Sequence, residues 1–211
     1  MRLAVSYPTV WLLHHQKINR AMAQQEARQV LDRDIQLDDA YLGGKRCGGK
    51  AGRASENKVT CVAAVSLNEH GRPMHRKLAL VSGFTSQAIG RRAKLNLASG
   101  SRVMSDGLGC FAAVAEAGCT HTPFVVGSLK PRDLPQFAWV NTVLGNLKTT
   151  LAGAFHSMKY RKYADNYFAA FAYWFNQRFH LRGLVARLVV DVARCAPAKE
   201  SVVRAHAEAR F

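Results

Sequence analysis

Two aspartates carry the first chemistry legible in this chain, Asp38 in LDDAYLGG and Asp106 in RVMSDGLGCF. Each closes a short apolar run of the kind that forms a strand, so each is expected where a strand ends. The 211 residues hold 30 Lys and Arg against 14 Asp and Glu, a formal net charge of +16. With few carboxylates available, two at strand ends suit hard oxygen ligation of a divalent cation. The cationic remainder concentrates phosphates at the surface and speeds encounter with a polyanion. Metal-assisted chemistry on DNA or RNA is the reaction class implied.

Other chemistries fit less well. The cysteines at 47, 61, 110, 119 and 195 are odd in number and form no CxxC pair. That argues against a disulfide framework and a zinc ribbon, and points to a reducing, cytoplasmic setting. Cys61, inside an apolar run, reads as a small core residue. The eight histidines form no HExxH or HxH pattern and read as surface or local packing residues. Gly44 to Lys50 satisfies GxxxxGK, but Ala51 stands where a phosphate-binding loop needs a Ser or Thr hydroxyl for magnesium. The loop reads instead as a cationic segment whose Lys45, Arg46, Lys50 and Arg53 track a nucleic-acid backbone, or as a solvated turn. No run approaches the ~20 apolar residues of a membrane span. LRGLVARLVVDVARCA is broken by Arg182, Arg187, Asp191 and Arg194 and reads as an amphipathic helix. The opening MRLAVSYPTVWLLHHQK contains Pro8 and offers no small-residue cleavage site, so it is not read as a secretion signal.

Val10, Leu13, Ile18 and Met22 recur at helical spacing, and AMAQQEARQVL has strong helix propensity, so a helix is expected up to about Leu31. Three strands follow, IQLDDAYLGG, KVTCVAAVSL and RKLALVSGF, with NEHGRP as the second turn. Thr85 or Ser86 can cap a helix through AIGRRAKLNL. RVMSD is then a strand, LGCFAAVAEAG a helix, TPFVVG a strand, and the chain is helical from about Phe137. A meander, then alternating β and α, then helices, describes an α/β fold: a ribonuclease-H-like mixed sheet flanked by helices, with helical N- and C-terminal segments. In that fold the third metal-proximal residue lies on a helix across the sheet, near Asn141 here.

LDDAYLGG, GRASENKVTCVAAV, MSDGLGCF, WVNTVLGNLKTTLAGAFH and FAYWFNQRF resemble the catalytic region of bacterial insertion-sequence transposases of the DDE superfamily. The resemblance spans nearly the whole chain and is closest to the subgroup whose third acid is often asparagine, followed seven positions later by lysine. It implies Asp38, Asp106 and Asn141 as metal ligands, Lys148 as a catalytic and DNA-contacting residue, and Asp39 as the neighbour of the first acid. It implies magnesium, with manganese as substitute, as two ions about 3.5–4 Å apart that activate the attacking hydroxyl and stabilise the leaving oxygen. Asn141 would offer a neutral carbonyl oxygen, with Asp39 or Glu116 the candidates to compensate for the missing charge. Asn141 and Lys148 are 148 − 141 = 7 residues apart, close to two turns at about 3.6 residues each, so they share a helix face.

Taken singly, these residues have plainer readings. Asp38 is a polar edge-strand residue, Asp106 a turn former before Gly107, Asn141 an N-cap and Lys148 a solvated helix lysine. Tyr163, Tyr167, Phe168, Phe171, Tyr173, Trp174 and Phe175 read as core, and Trp139 as core or as a stacking platform for a flipped base.

The expected organisation is a helical segment at 1–33, remnant of a helix-turn-helix module, a catalytic domain at 34–178 and a basic amphipathic tail at 179–211. Complete relatives carry a zinc ribbon and helix-turn-helix ahead of SYPTVWLLHH, so the chain reads as N-terminally shortened. The expected activity is metal-dependent DNA cleavage and strand transfer at insertion-sequence ends. Partners are terminal repeats and target DNA, as a homo-oligomer on DNA in the bacterial cytoplasm and nucleoid, with no membrane. The competing readings are an inactive remnant that only binds DNA or regulates, and a structure-selective nuclease of the same fold.

Overall fold

In a computed structural model of the chain, the described residues are 4–43, 59–127, 129, 133–154, 160–196 and 199. Lys45, Arg46, Lys50 and Arg53 lie outside them. Contacts divide the chain into a unit of residues 29–160 and a second one of residues 1–28 with 161–211.

The first unit is built on a five-stranded sheet of order β3-β2-β1-β4-β5. Strands β1 (Asp34–Leu42), β2 (Val59–Leu67) and β3 (Pro73–Leu80) form an antiparallel meander. Strands β4 (Arg102–Ser105) and β5 (Thr120–Pro123) add in parallel on the far side of β1. This is the mixed, ribonuclease-H-like arrangement expected from the sequence. The switch from antiparallel to parallel needs a crossover, and α3 (Ser86–Asn96) supplies it between β3 and β4. Of the two possible caps it is Thr85 that serves, its Oγ1 accepting from the Ala88 N–H at 3.2 Å.

Successive strand residues face opposite ways, so each strand of the meander serves two cores. Ile35, Leu37, Val62 and Ala64 meet Ile89 and Ala93 of α3 and Phe111 and Val114 of the segment after β4. That segment, Gly109–Ala117, is a 3-10 helix rather than the expected α-helix. Cys110 and Ala113, and likewise Phe111 and Val114, are buried three residues apart, which is the period of the tighter helix. The last strand also differs from TPFVVG. β5 is Thr120–Pro123, because Thr120 pairs with Arg102 and β4 ends after four residues. Phe124 N–H gives its bond to the Ser105 carbonyl at 2.8 Å, and the ladder stops there. Val125, inside the expected strand, is 81% exposed.

On the other face lies α4 (Ala138–Ala154), packed on β1 and β2. Its buried residues Val140, Val143, Leu144, Leu147 and Leu151 make the apolar stripe that fixes its rotation. Its first turn receives a cap from the sheet. Gln36 of β1, 5% exposed, turns its Oε1 to accept from Trp139 N–H at 3.1 Å and Val140 N–H at 3.0 Å. Asn141, the fourth residue of α4, is therefore inside the helix and is not its N-cap. Trp139 donates its indole N–H to the Gly71 carbonyl at 2.8 Å, which ties it to the β2–β3 turn.

The second unit is helical: α1 (Tyr7–Leu12), a π-helical turn (Leu13–Ile18) and α2 (Asn19–Arg28), then α5 (Tyr160–Asn176), a 3-10 turn (Arg178–Gly183) and α6 (Leu184–Arg194). Met22, Tyr173 and Leu184 form its core. Asn176 Nδ2 donates to Glu26 Oε2 at 2.7 Å, joining α5 to α2. Of the aromatic series, Phe168 and Tyr173 are buried and Trp174 is exposed. No helix of the described residues is long and apolar enough to cross a membrane.

Gln36→Leu is expected to leave two amide donors of α4 without their acceptor, at a cost of about 1–3 kcal/mol. The urea midpoint should fall with the slope unchanged, and an unchanged midpoint would show that Gln36 does not anchor the helix.

Candidate metal centre

The parallel ladder between β1 and β4 pairs Leu37 with Ser105, so one further step brings Asp38 beside Asp106. Asp38 is not at the end of its strand, as the sequence suggested. It is the fifth of nine residues in β1, covered on one edge by Ala63 of β2. The opening beside it arises because β4 stops at Ser105 while β1 continues to Leu42. Asp106 then begins a turn: its Oδ1 accepts from Leu108 N–H at 3.2 Å, and Gly107 takes a φ of 85°. That positive φ is where a residue without Cβ is favoured.

Asp39 joins the two expected acids. One oxygen each from Asp38, Asp39 and Asp106 lies within 4.8 Å of the others, and all three residues are half-buried. Asp38 Oδ1 also accepts from Asp39 N–H at 2.8 Å. Burial is the main cause pushing the Asp38 carboxyl up to about 7; the charges of Asp106 and Asp39 add to it, while the Asp39 N–H and the charge of Lys148 oppose it. A half-buried carboxyl that resists ionisation, with two further carboxylates beside it, is a donor set that a hard divalent cation relieves, so these residues fit such an ion.

Lys148 is exposed on α4 and close enough to act electrostatically on Asp38 and on Cys61. Asn141 is half-buried on the same flank of that helix. Measured round the helix, both lie about a quarter turn from the buried stripe, at its rim. Glu116, the other acid considered for this region, is spent elsewhere: it pairs with Lys94 Nζ at 2.8 Å. Cys61 is fully buried, and desolvation with the nearby carboxylates pushes its thiol up to about 12, so it stays a protonated core residue. Trp139 is 37% exposed rather than core, and its indole N–H is held by the Gly71 carbonyl.

Sequence reasoning gave little notice of Gln36, Ser105 and His121. Ser105, fully buried, places its Oγ 2.9 Å from His121 Nε2. A polar side chain inside an apolar strand was the available signal for Gln36. Nothing in the spacing pointed to His121.

The Asp38 shift has a sign that can be checked. Below about pH 4, the ordinary Asp value, the residue is protonated both folded and unfolded. As pH rises from there to about 7, the unfolded chain releases the proton and the folded one holds it, so the fold loses stability. Asp38→Asn mimics the protonated form. In chelator at pH 8 its Tm should exceed the parent's, with the gain closing as pH falls toward about 4. Equal Tm values at pH 8 would contradict the burial cost.

The family model for the ISXO2-like transposase domain matches residues 30–176. No curated protein sequence matches the chain. Among solved structures, a pre-cleavage Mos1 transpososome is 13% identical, covering 95% of this chain and 67% of that one with a TM-score of 0.26. A Mos1 transposase paired-end complex with the left transposon end is 13% identical, covering 89% of this chain and 65% of that one with a TM-score of 0.28. The chain thus spans about two thirds of the length of these structural matches. Strand order, rather than superposition, carries the fold. With 147 consecutive positions matched (30–176), the chain belongs to the ISXO2-like transposase domain family of DDE transposases.

Proposed function

We infer that this transposase cuts DNA at element ends and joins the freed 3′-hydroxyl to a target, using divalent cations held by Asp38, Asp39 and Asp106. The observation that carries this is the convergence of those three carboxylates beside Lys148. Magnesium, or manganese in its place, would supply Lewis acidity toward a phosphodiester and a more acidic bound hydroxyl. The chain's own residues have separate tasks. Asp38, from β1, and Asp106, from the turn that follows the adjacent β4, set the position of the site. Asp39 adds the charge that an asparagine at 141 does not, and Asn141 offers a neutral carbonyl oxygen from α4. Lys148 meets a phosphate oxygen, as a point charge on a flexible stem does well. None of these residues is used as a covalent nucleophile.

DNA is the partner this chemistry requires, and the formal charge of +16 favours it. Lys45, Arg46, Lys50 and Arg53 follow the glycines after β1 in sequence and are proposed as backbone contacts. Binding through them would weaken steeply with salt, since each neutralised phosphate releases counterions.

The test is cleavage of a fragment carrying the element ends in magnesium or manganese at low salt. The parent is expected to cut, and Asp106→Asn to bind the fragment without cutting. Absence of cleavage by folded, DNA-bound parent would favour the competing reading of a protein that only binds DNA or regulates. Lys148→Ala should retain metal binding and lose roughly 100-fold in cleavage rate, the scale of one lost electrostatic contact to developing charge. Full activity in that variant would remove Lys148 from the mechanism.

A further inference from the structure

The turn that carries Asp106 is held by a bond chain that the proposed chemistry does not use. Ser105 is the last residue of β4 and fully buried. Its carbonyl accepts from Phe124 N–H at 2.8 Å. Its Oγ accepts from Gly107 N–H at 3.5 Å and lies 2.9 Å from His121 Nε2 on β5. The backbone is therefore fixed on both sides of Asp106, while Leu108 N–H holds one of its carboxylate oxygens.

Hydrogen counting gives the direction of the chain. A serine oxygen that accepts from Gly107 still has one proton to donate, and inside the protein an unused hydroxyl proton costs about 1–3 kcal/mol. His121 Nε2 takes that proton if it is the unprotonated nitrogen, leaving the ring hydrogen on Nδ1. Burial lowers the pKa of His121, which keeps the imidazole neutral as this direction requires. The sequence runs from Gly107 N–H to Ser105 Oγ and from Ser105 O–H to His121 Nε2, so an acceptor on β5 sets the pose of a turn at the end of β4.

We propose that His121 is a positioning residue for the metal centre: through Ser105 it fixes the Asp106–Gly107 turn and thereby the presentation of the Asp106 carboxylate to Asp38 and Asp39. This rests on the metal-centre reading above. His121 touches neither ion nor substrate. Its effect is to keep a ligand already placed, the role in which outer partners of metal ligands typically change affinity about 10- to 100-fold.

The experiment is manganese binding by the full chain, followed by electron paramagnetic resonance of free ion, with circular dichroism to confirm folding. His121→Phe keeps a planar ring without an acceptor, and Ser105→Ala removes a single oxygen. Each is expected to weaken manganese binding about 10-fold or more. The double variant should be no weaker than either single one, because both cut the same chain. His121→Gln, which offers an amide acceptor at similar reach, should recover most of the affinity. A merely structural role would lower Tm without this shared, rescuable loss of metal. Should folded His121→Phe and Ser105→Ala bind manganese like the parent while Asp106→Asn does not, the positioning role is wrong and the metal centre stands. Should Asp106→Asn itself bind like the parent, the metal centre is wrong and the positioning role falls with it.

Discussion

The carboxylate cluster depends on the parallel register between β1 and β4. Pairing of Leu37 with Ser105 puts two acids from distant parts of the sequence at one level of the sheet. A slip of one residue would turn every side chain of β4 to the opposite face. The register is held at its far end by Asp34 and Arg102, whose guanidinium gives two bonds of 2.6 and 2.7 Å to the carboxylate. It is held on the α3 side by Val103, 1% exposed among Ile35, Leu37 and Phe111. Apolar burial thus supplies the energy that keeps three mutually repelling acids close.

A second constraint sets the helix that brings Lys148 to the cluster. The apolar stripe of α4 fixes which way the helix is rotated, and Gln36 fixes where along β1 it starts. Gln36 and Asp38 are two residues apart on β1 and so point to the same face. One short stretch of strand therefore both anchors the helix and contributes the first acid, which couples the position of Lys148 to that of Asp38. Rotation and start point together leave Asn141 and Lys148 at the rim of the contact.

Much of this was legible because the signals were local. The meander follows from β-rich runs parted by turn residues, and the capped helix α3 from a Thr at the right place. The acids Asp38 and Asp106 stood out against a basic chain. What could not be read depends on contacts distant in sequence. Asp38 lies open in the middle of its strand because β4 is short, and β4 is ended by a turn that begins at Asp106, 106 − 38 = 68 residues further along. TPFVVG reads as a strand, but the register begun at Thr120 ends the ladder at Pro123. Gly109–Ala117 carries helix-forming alanines, yet its three-residue burial period selects the narrower helix. His121 was passed over because its partner lies 16 residues earlier, on the neighbouring strand.

The sheet has an uneven boundary. β3 opens with Pro73 and β5 closes with Pro123, so each outer strand of the sheet carries at one end a residue with no amide proton. β5 is also only four residues long. Protein chains crowded along a nucleic acid are exposed to accidental joining, strand to strand, through unfinished sheet margins. Here the β5 margin is short and each outer strand ends on a residue unable to donate, so a foreign strand finds fewer amide protons to pair with along these edges.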